Sequence, residues 1–312
     1  MVIVACAWLL DTARVALASL RTGAEVPSMQ YSLPIVLLAY ALVATVLVQL
    51  HKEVGDVLGR RLTNEGQGPR RETEKKLLLL VHGLGGSPRK TWGKFTALMR
   101  DDVEMMSQWS FTHYKYPSVK LTWKFWKIWG TYPRIQELAD GLATEIRNTY
   151  CGFPEIVLVC HSLGGLVGRK YAVDLVLDRS PHRLGGAVLF ATPNAGASLA
   201  KVGSAIPWSS WQLKQLCGRS DFLEELNDLW FRLHVQERIR TLFVIAARDE
   251  LVDSASARLW PGNQDVETVV GTDHREVVQP TSRLDTSYVI VRRFIGLAAV
   301  SDQDSSELLG GA

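Results

Sequence analysis

Residue 162 is a serine in the run His161-Ser162-Leu163-Gly164-Gly165, between an apolar stretch at 156–160 and a helically spaced stretch at 163–177. A strand-to-helix turn of this kind is tight, so the residues around the serine must be small. The turn lifts the hydroxyl out of the sheet. It also points the N-terminus of the next helix at the hydroxyl, which favours negative charge developing there. Gly164 satisfies the G-x-S-x-G spacing, whereas Cys160 stands in place of the first glycine. Taken alone, the pattern also fits an ordinary turn whose serine caps a helix.

A serine is a weak nucleophile until a base takes its proton and until donors await the oxyanion. The donors are expected in His82-Gly83-Leu84-Gly85-Gly86, a glycine-rich loop directly after the apolar residues 77–81. There the amides of Leu84 and Leu163 would hold the oxyanion, with His82, Gly83, Gly85 and Gly164 shaping the loops. One such donor is worth about 3 kcal/mol in the transition state. A phosphate-binding loop would continue into GK[ST], which this one does not.

The acid and the base should follow the serine in that order. Asp249 comes just after the apolar run 242–247 and is the first choice for the acid; Asp253 is the second and Glu250 the third. His274 follows the run 266–270 and is the only histidine beyond Asp249. It is therefore expected to be the base. His161, next to the serine, should leave the turn in another direction, and His51, His113, His182 and His234 precede the acid. In the resulting chemistry His274 takes the Ser162 proton, Asp249 orients His274, and an acyl-enzyme forms and is released by water. No metal or organic cofactor is called for.

Each of these residues needs an element to hold it. The runs at 77–81, 156–160, 187–191, 242–247 and 266–270 are short, apolar and continuous, as strands covered on both faces are. Helical spacing lies between and after them at 133–148, 163–177, 221–233 and 282–297. Alternation of this kind implies a mostly parallel sheet with helices on both faces, whose sites form at the carboxyl ends of the strands.

Five segments carry a closer resemblance: LLLLVHGLGGSPRKTW at 77–92, IVLVCHSLGGLVGRKYA at 156–172, LFATPNAGAS at 189–198, FVIAARDELVD at 243–253 and VVGTDHREVVQP at 269–280. In order and spacing the chain resembles the α/β-hydrolases, in their lipase-like branch, which includes GPI inositol-deacylase-like and membrane-associated serine esterases. The resemblance implies hydrolysis of lipid or other acyl esters. An acyltransferase or thioesterase would use the same site, and a catalytically silent fold serving membrane assembly or interaction remains open.

The chain has 312 residues, a formal net charge of +3 and 47% hydrophobic residues, enough for a large core. Mixed charge without a basic stripe speaks against nucleic acid as a partner. Four cysteines without paired spacing suggest neither a zinc site nor a disulfide framework. Oligomeric state is not legible.

Residues 33–50 form a charge-free apolar run, just long enough for a spanning helix of about 17 to 20 residues. A membrane anchor, a buried core helix and a signal peptide compete there. The anchor is preferred, and the basic residues that follow would place the catalytic domain on the cytoplasmic side. The expected organisation is an anchor region at 1–61, a linker at 62–76, a catalytic domain at 77–300 with a cap or lid insertion at 111–132, and a tail at 301–312. Within the insertion, Trp123, Trp126 and Trp129 alternate with Lys120, Lys124 and Lys127. That pattern suits either a helix in a lipid headgroup region or aromatics packed on the core.

Overall fold

The computed structural model describes residues 75–116, 133–198, 211–218, 220–258 and 265–297. Six strands form one sheet: β1 (Lys76–Val81), β2 (Trp109–Tyr114), β3 (Ile156–His161), β4 (Leu184–Phe190), β5 (Thr241–Ala246) and β6 (Asp265–Val269). Their order across the sheet is β2-β1-β3-β4-β5-β6, and every neighbouring pair runs parallel. The helices are α1 (Pro88–Asp101), α2 (Val103–Gln108), α3 (Ile135–Thr149), α4 (Leu163–Leu177), α5 (Trp211–Leu216), α6 (Asp221–Arg232), α7 (Val235–Arg238), α8 (Ser254–Arg258) and α9 (Thr286–Phe294). A short 3-10 turn covers Glu276–Val278.

Alternate strand residues face opposite layers, as the period of two requires. Leu77, Leu79, Val81, Leu158, Cys160 and Leu189 share one core with Leu142 of α3, Leu166 of α4 and Trp230 of α6. Leu78, Leu80, Val157, Val159, Val188 and Phe190 share the other with Trp92, Phe95 and Met99 of α1 and Tyr288 and Val291 of α9. Apolar cover on both faces is why β1, β3 and β5 read as unbroken apolar runs.

The register brings the site together. Val81 at the end of β1 lies beside Cys160 of β3, so the loop from His82 and the turn at Ser162 emerge as neighbours. The ends of β5 and β6, where Asp249 and His274 follow, come up on the far side of β4.

Several boundaries differ from the sequence expectation. β2 has only its two end residues buried, so no apolar run marks it. It occupies the start of the segment assigned to a cap, and residues 111–114 are therefore sheet edge rather than insertion. β4 starts at Leu184 rather than at 187, because Gly185 and Gly186 break the apolar run there. The last helix starts at Thr286, not at 282, because the Asp285 carboxylate gathers the amides of Thr281 and Ser282 into a preceding turn. The aromatic run at 120–129 and the apolar run at 33–50 lie outside the described residues. Among the described residues no helix is long and apolar enough to cross a membrane.

One buried cluster ties α9 to the junction of α1 and α2. Asp102 accepts from the Met105 amide at 3.0 Å, from the Tyr288 hydroxyl at 2.9 Å and from Arg292, which also pairs with Glu104. Burial alone would raise the Asp102 carboxyl, but Arg292, the Met105 amide and Tyr288 hold it below its ordinary value. A depressed carboxylate stabilises the fold fully above its unfolded value, and that stabilisation is lost as pH falls through the folded value. Asp102→Asn should therefore cost about 3 kcal/mol at neutral pH, the loss expected when one partner of a buried pair is removed. Urea midpoints should show the gap between variant and wild type holding from pH 7 down to about pH 4, near the unfolded value, and narrowing as the pH falls further. A gap that is constant with pH would refute the assignment.

Candidate active site

Ser162 sits between β3 and α4 with φ 54° and ψ −124°, a conformation that side chains other than glycine rarely adopt. Strain of this kind costs about 1–3 kcal/mol and persists only where its surroundings enforce it. The Ser162 amide donates to the Phe190 carbonyl at 2.9 Å, and the Gly165 amide donates back to the Ser162 carbonyl at 2.8 Å. Small neighbours make the turn possible. A Cβ on Gly83 would lie 2.9 Å from the Ser162 Cβ, and one on Gly164 would lie 2.5 Å from the His82 carbonyl oxygen. Cys160, the residue that departs from the glycine pattern, is fully buried, and its Sγ fills the space left by Gly168: a Cβ there would stand 2.9 Å away.

His274 Nε2 is 3.0 Å from Ser162 Oγ, and His274 Nδ1 is 2.7 Å from Asp249 Oδ2. An ionised carboxylate can only accept, so Nδ1 carries the hydrogen and Nε2 is left to accept from the serine. The other oxygen of Asp249 accepts from the amides of Leu251 and Val252, each at 2.9 Å, which fixes the plane of the carboxylate. The Asp249 side chain is 2% exposed and that of His274 is 13% exposed, so the pair is screened from water on the acid's side. Asp253 is elsewhere: its Oδ1 accepts from the Ser256 amide at 2.7 Å and caps α8. Glu250 is exposed. The structure thus brings Ser162, His274 and Asp249 together and leaves Asp253 out.

The turn that carries His274 is braced from within. Asp273 accepts from the amides of Arg275 and Glu276 at 2.7 and 2.8 Å, and Glu276 accepts from the Asp273 amide at 2.9 Å. Asp273 precedes the histidine directly, and an Asp followed three residues on by Glu is a legible bracing signal.

The glycine-rich loop after β1 is a tight turn. The Gly86 amide donates to the Gly83 carbonyl at 3.1 Å, with Gly85 at φ 67°, where a side chain would be strained. The buried His82 ring stacks on Tyr116 at 4.2 Å between centroids, and its Nδ1 donates to the Gly83 carbonyl at 2.9 Å. Tyr116 in turn donates to the His82 carbonyl. Leu84 is half-buried in this turn. Leu163 opens α4, so its amide is among those with no acceptor inside the helix.

A second brace was not legible from spacing. Arg169 of α4 is fully buried, lies over Trp230 and donates to the side-chain oxygens of Asn194 and Asn227, each at 3.0 Å. Burial pulls its guanidinium down to about 9, still well above neutrality. Asn194 holds the Ala257 carbonyl at 2.8 Å, and the Ser198 amide meets the Leu251 carbonyl at 2.8 Å. The ATPNAG loop is thereby fastened to the loop that presents Asp249. Among the described residues no cluster of side chains could hold a metal ion.

Residues 78–287 match the profile of the alpha/beta hydrolase family, and the chain belongs to that family. Phospholipase PlaB from Legionella pneumophila is similar in fold, with a TM-score of 0.59 and 14% identity over 75% of this chain and 62% of that one. The Bacillus licheniformis lipase BlEst2 in its mature form has a TM-score of 0.52 and 15% identity over 73% of this chain and 95% of that one. The chain thus matches less than two thirds of the length of PlaB. No curated protein sequence matches it.

Proposed function

We propose that the protein is a serine hydrolase of carboxylic esters, with Ser162 as nucleophile, His274 as general base and Asp249 as the acid that orients it. One observation carries this reading: the strained Ser162 points its hydroxyl at His274 Nε2, 3.0 Å away, while Nδ1 of the same ring meets Asp249 at 2.7 Å. His274 takes the proton as Oγ attacks the ester carbonyl carbon. The amides of Leu84 and Leu163, with the N-terminus of α4, stabilise the oxyanion. His274 then gives the proton to the departing alcohol. Water attacks the acyl-enzyme by the same relay and frees the acid.

A lipid ester is the preferred substrate class. The two structural neighbours carry the names phospholipase and lipase, and the aromatic and basic run at 120–129 suits a lipid surface. Attachment to a membrane through residues 33–50 belongs to the same proposal and rests on the sequence alone.

A fluorophosphonate probe should modify the purified protein once, with the adduct on the peptide that contains Ser162. p-Nitrophenyl esters of rising acyl length should show kcat/KM climbing beyond acetate. An unlabelled protein would sink the hydrolase reading, and strict preference for acetate would sink the lipid part alone.

A further inference from the structure

His161 holds a bond that the catalytic relay does not use. Its Nε2 lies 2.7 Å from the main-chain oxygen of His274, and the two imidazole rings are 4.9 Å apart between centroids. A carbonyl oxygen only accepts, so Nε2 carries the hydrogen and Nδ1 is a bare acceptor. Nδ1 is buried without a hydrogen-bond partner among the described residues. What faces it is Gly83: a Cβ there would stand 3.1 Å from Nδ1, so the glycine α-hydrogen occupies that direction. Trp92 meets the ring edge-on at 6.5 Å between centroids. One ring therefore touches the base turn and the glycine-rich loop, and it is joined by a peptide bond to Ser162.

The need for such a contact follows from the sheet. The nucleophile leaves β3 and the base leaves the end of β6, with β4 and β5 between them. At about 4.8 Å per strand the two origins are about 14 Å apart. The bonds of Asp273 and Glu276 close the base turn on itself, and Arg248 joins Glu276 to the end of β5. None of them references the turn to β3. The bond from His161 does so.

We propose that His161 is a positioning residue that locks the main chain of His274 and the Gly83 loop to the nucleophile strand as a permanently neutral, Nε2-protonated imidazole. This rests on the hydrolase reading above. Permanent neutrality is consistent with burial, which holds the His161 ring down at about 3, with the nearby His274 acting in the same direction. A second cation beside His274 would oppose the imidazolium that forms during attack.

The inference has two tests, one of which needs no variant. In the wild-type protein, ring 15N shifts of His161 should report the Nε2–H tautomer unchanged from pH 5 to pH 8. Titration in that range, or the Nδ1–H tautomer, would overturn the proposal. In kinetics, His161→Leu keeps bulk but loses the donor. It should lower kcat and the fluorophosphonate labelling rate by about 10²-fold, the usual scale for a misplacement of about 1 Å, with KM little changed. His161→Gln restores an N–H near the Nε2 position and should recover most of the loss. Wild-type kcat in His161→Leu would overturn it, as would equal impairment of the leucine and glutamine variants or a loss confined to KM. Absence of labelling in the wild type would sink the hydrolase reading instead, which keeps the two failures apart.

Discussion

Ser162→Ala should lower kcat for ester hydrolysis by about 10⁶-fold, and Asp249→Asn by about 10⁴-fold. The difference between the two figures has a physical origin. Without Oγ there is no acyl-enzyme at all, and only binding and the oxyanion donors remain. With asparagine at 249 the nucleophile survives, but the Leu251 and Val252 amides hold the carboxamide oxygen, so its NH2 faces His274 and favours a bare Nδ1. His274 then turns its protonated nitrogen towards the serine and can no longer accept from it. Asp253→Ala is the control. That carboxylate caps α8, so its loss should cost about 1 kcal/mol of stability and leave kcat close to wild type. Steady-state rates on a p-nitrophenyl ester, paired with urea unfolding, separate these results. A fully active Asp249→Asn would move the acid elsewhere and remove one leg of the proposed mechanism.

Gly164→Ala should damage the site and the fold together. The new Cβ would lie 2.5 Å from the His82 carbonyl oxygen and 2.7 Å from that of Val81. Both are main-chain atoms, at the end of a central strand and the start of the glycine-rich loop, so neither can swing aside as a side chain would. Overpacking of this sort typically costs 1–3 kcal/mol, and about 3 kcal/mol is expected here. Relief comes by pushing the N-terminus of α4 away from the loop, which separates the two proposed oxyanion donors. A fall in kcat of about 10²-fold should therefore accompany the loss of stability. Gly93→Ala in α1 is the contrast: nothing lies within 4 Å of that Cβ, and a glycine is replaced inside a helix. It should raise stability by about 0.5–1 kcal/mol and leave the rate unchanged. Equal effects of the two alanines would contradict the packing described.

The legibility of the fold followed the cover on the sheet. Strands buried on both faces, such as β1 and β3, announce themselves as apolar runs. Strand β2, which pairs only with β1 among the described residues, mixes Trp109 and Tyr114 with Ser110, Thr112 and His113, and its sequence therefore resembles the start of an insertion. Chain order and strand ends were enough to nominate Ser162, Asp249 and His274. They could not separate Asp249 from Asp253, since both occupy one turn and the choice depends on which carboxylate the amides of Leu251 and Val252 orient. Adjacency to the serine implies only that His161 leaves the turn in another direction. Its partner is a main-chain oxygen 113 residues distant, and no side-chain pattern encodes a main-chain acceptor. Arg169 was silent for a similar reason: an arginine in a helix suggests solvent, and only the fold shows it enclosed by two asparagines and a tryptophan.

Cys160 and Gly168 bear on how such sites are found at all. The thiol at one position occupies the room that the missing side chain leaves at the other, eight residues along the chain. What this turn requires is a small combined volume across two places, not a particular residue at either. A search demanding glycine before the serine rejects the chain. One that sums the bulk at 160 and 168 accepts it, and it would also admit sequences in which the larger residue has changed sides.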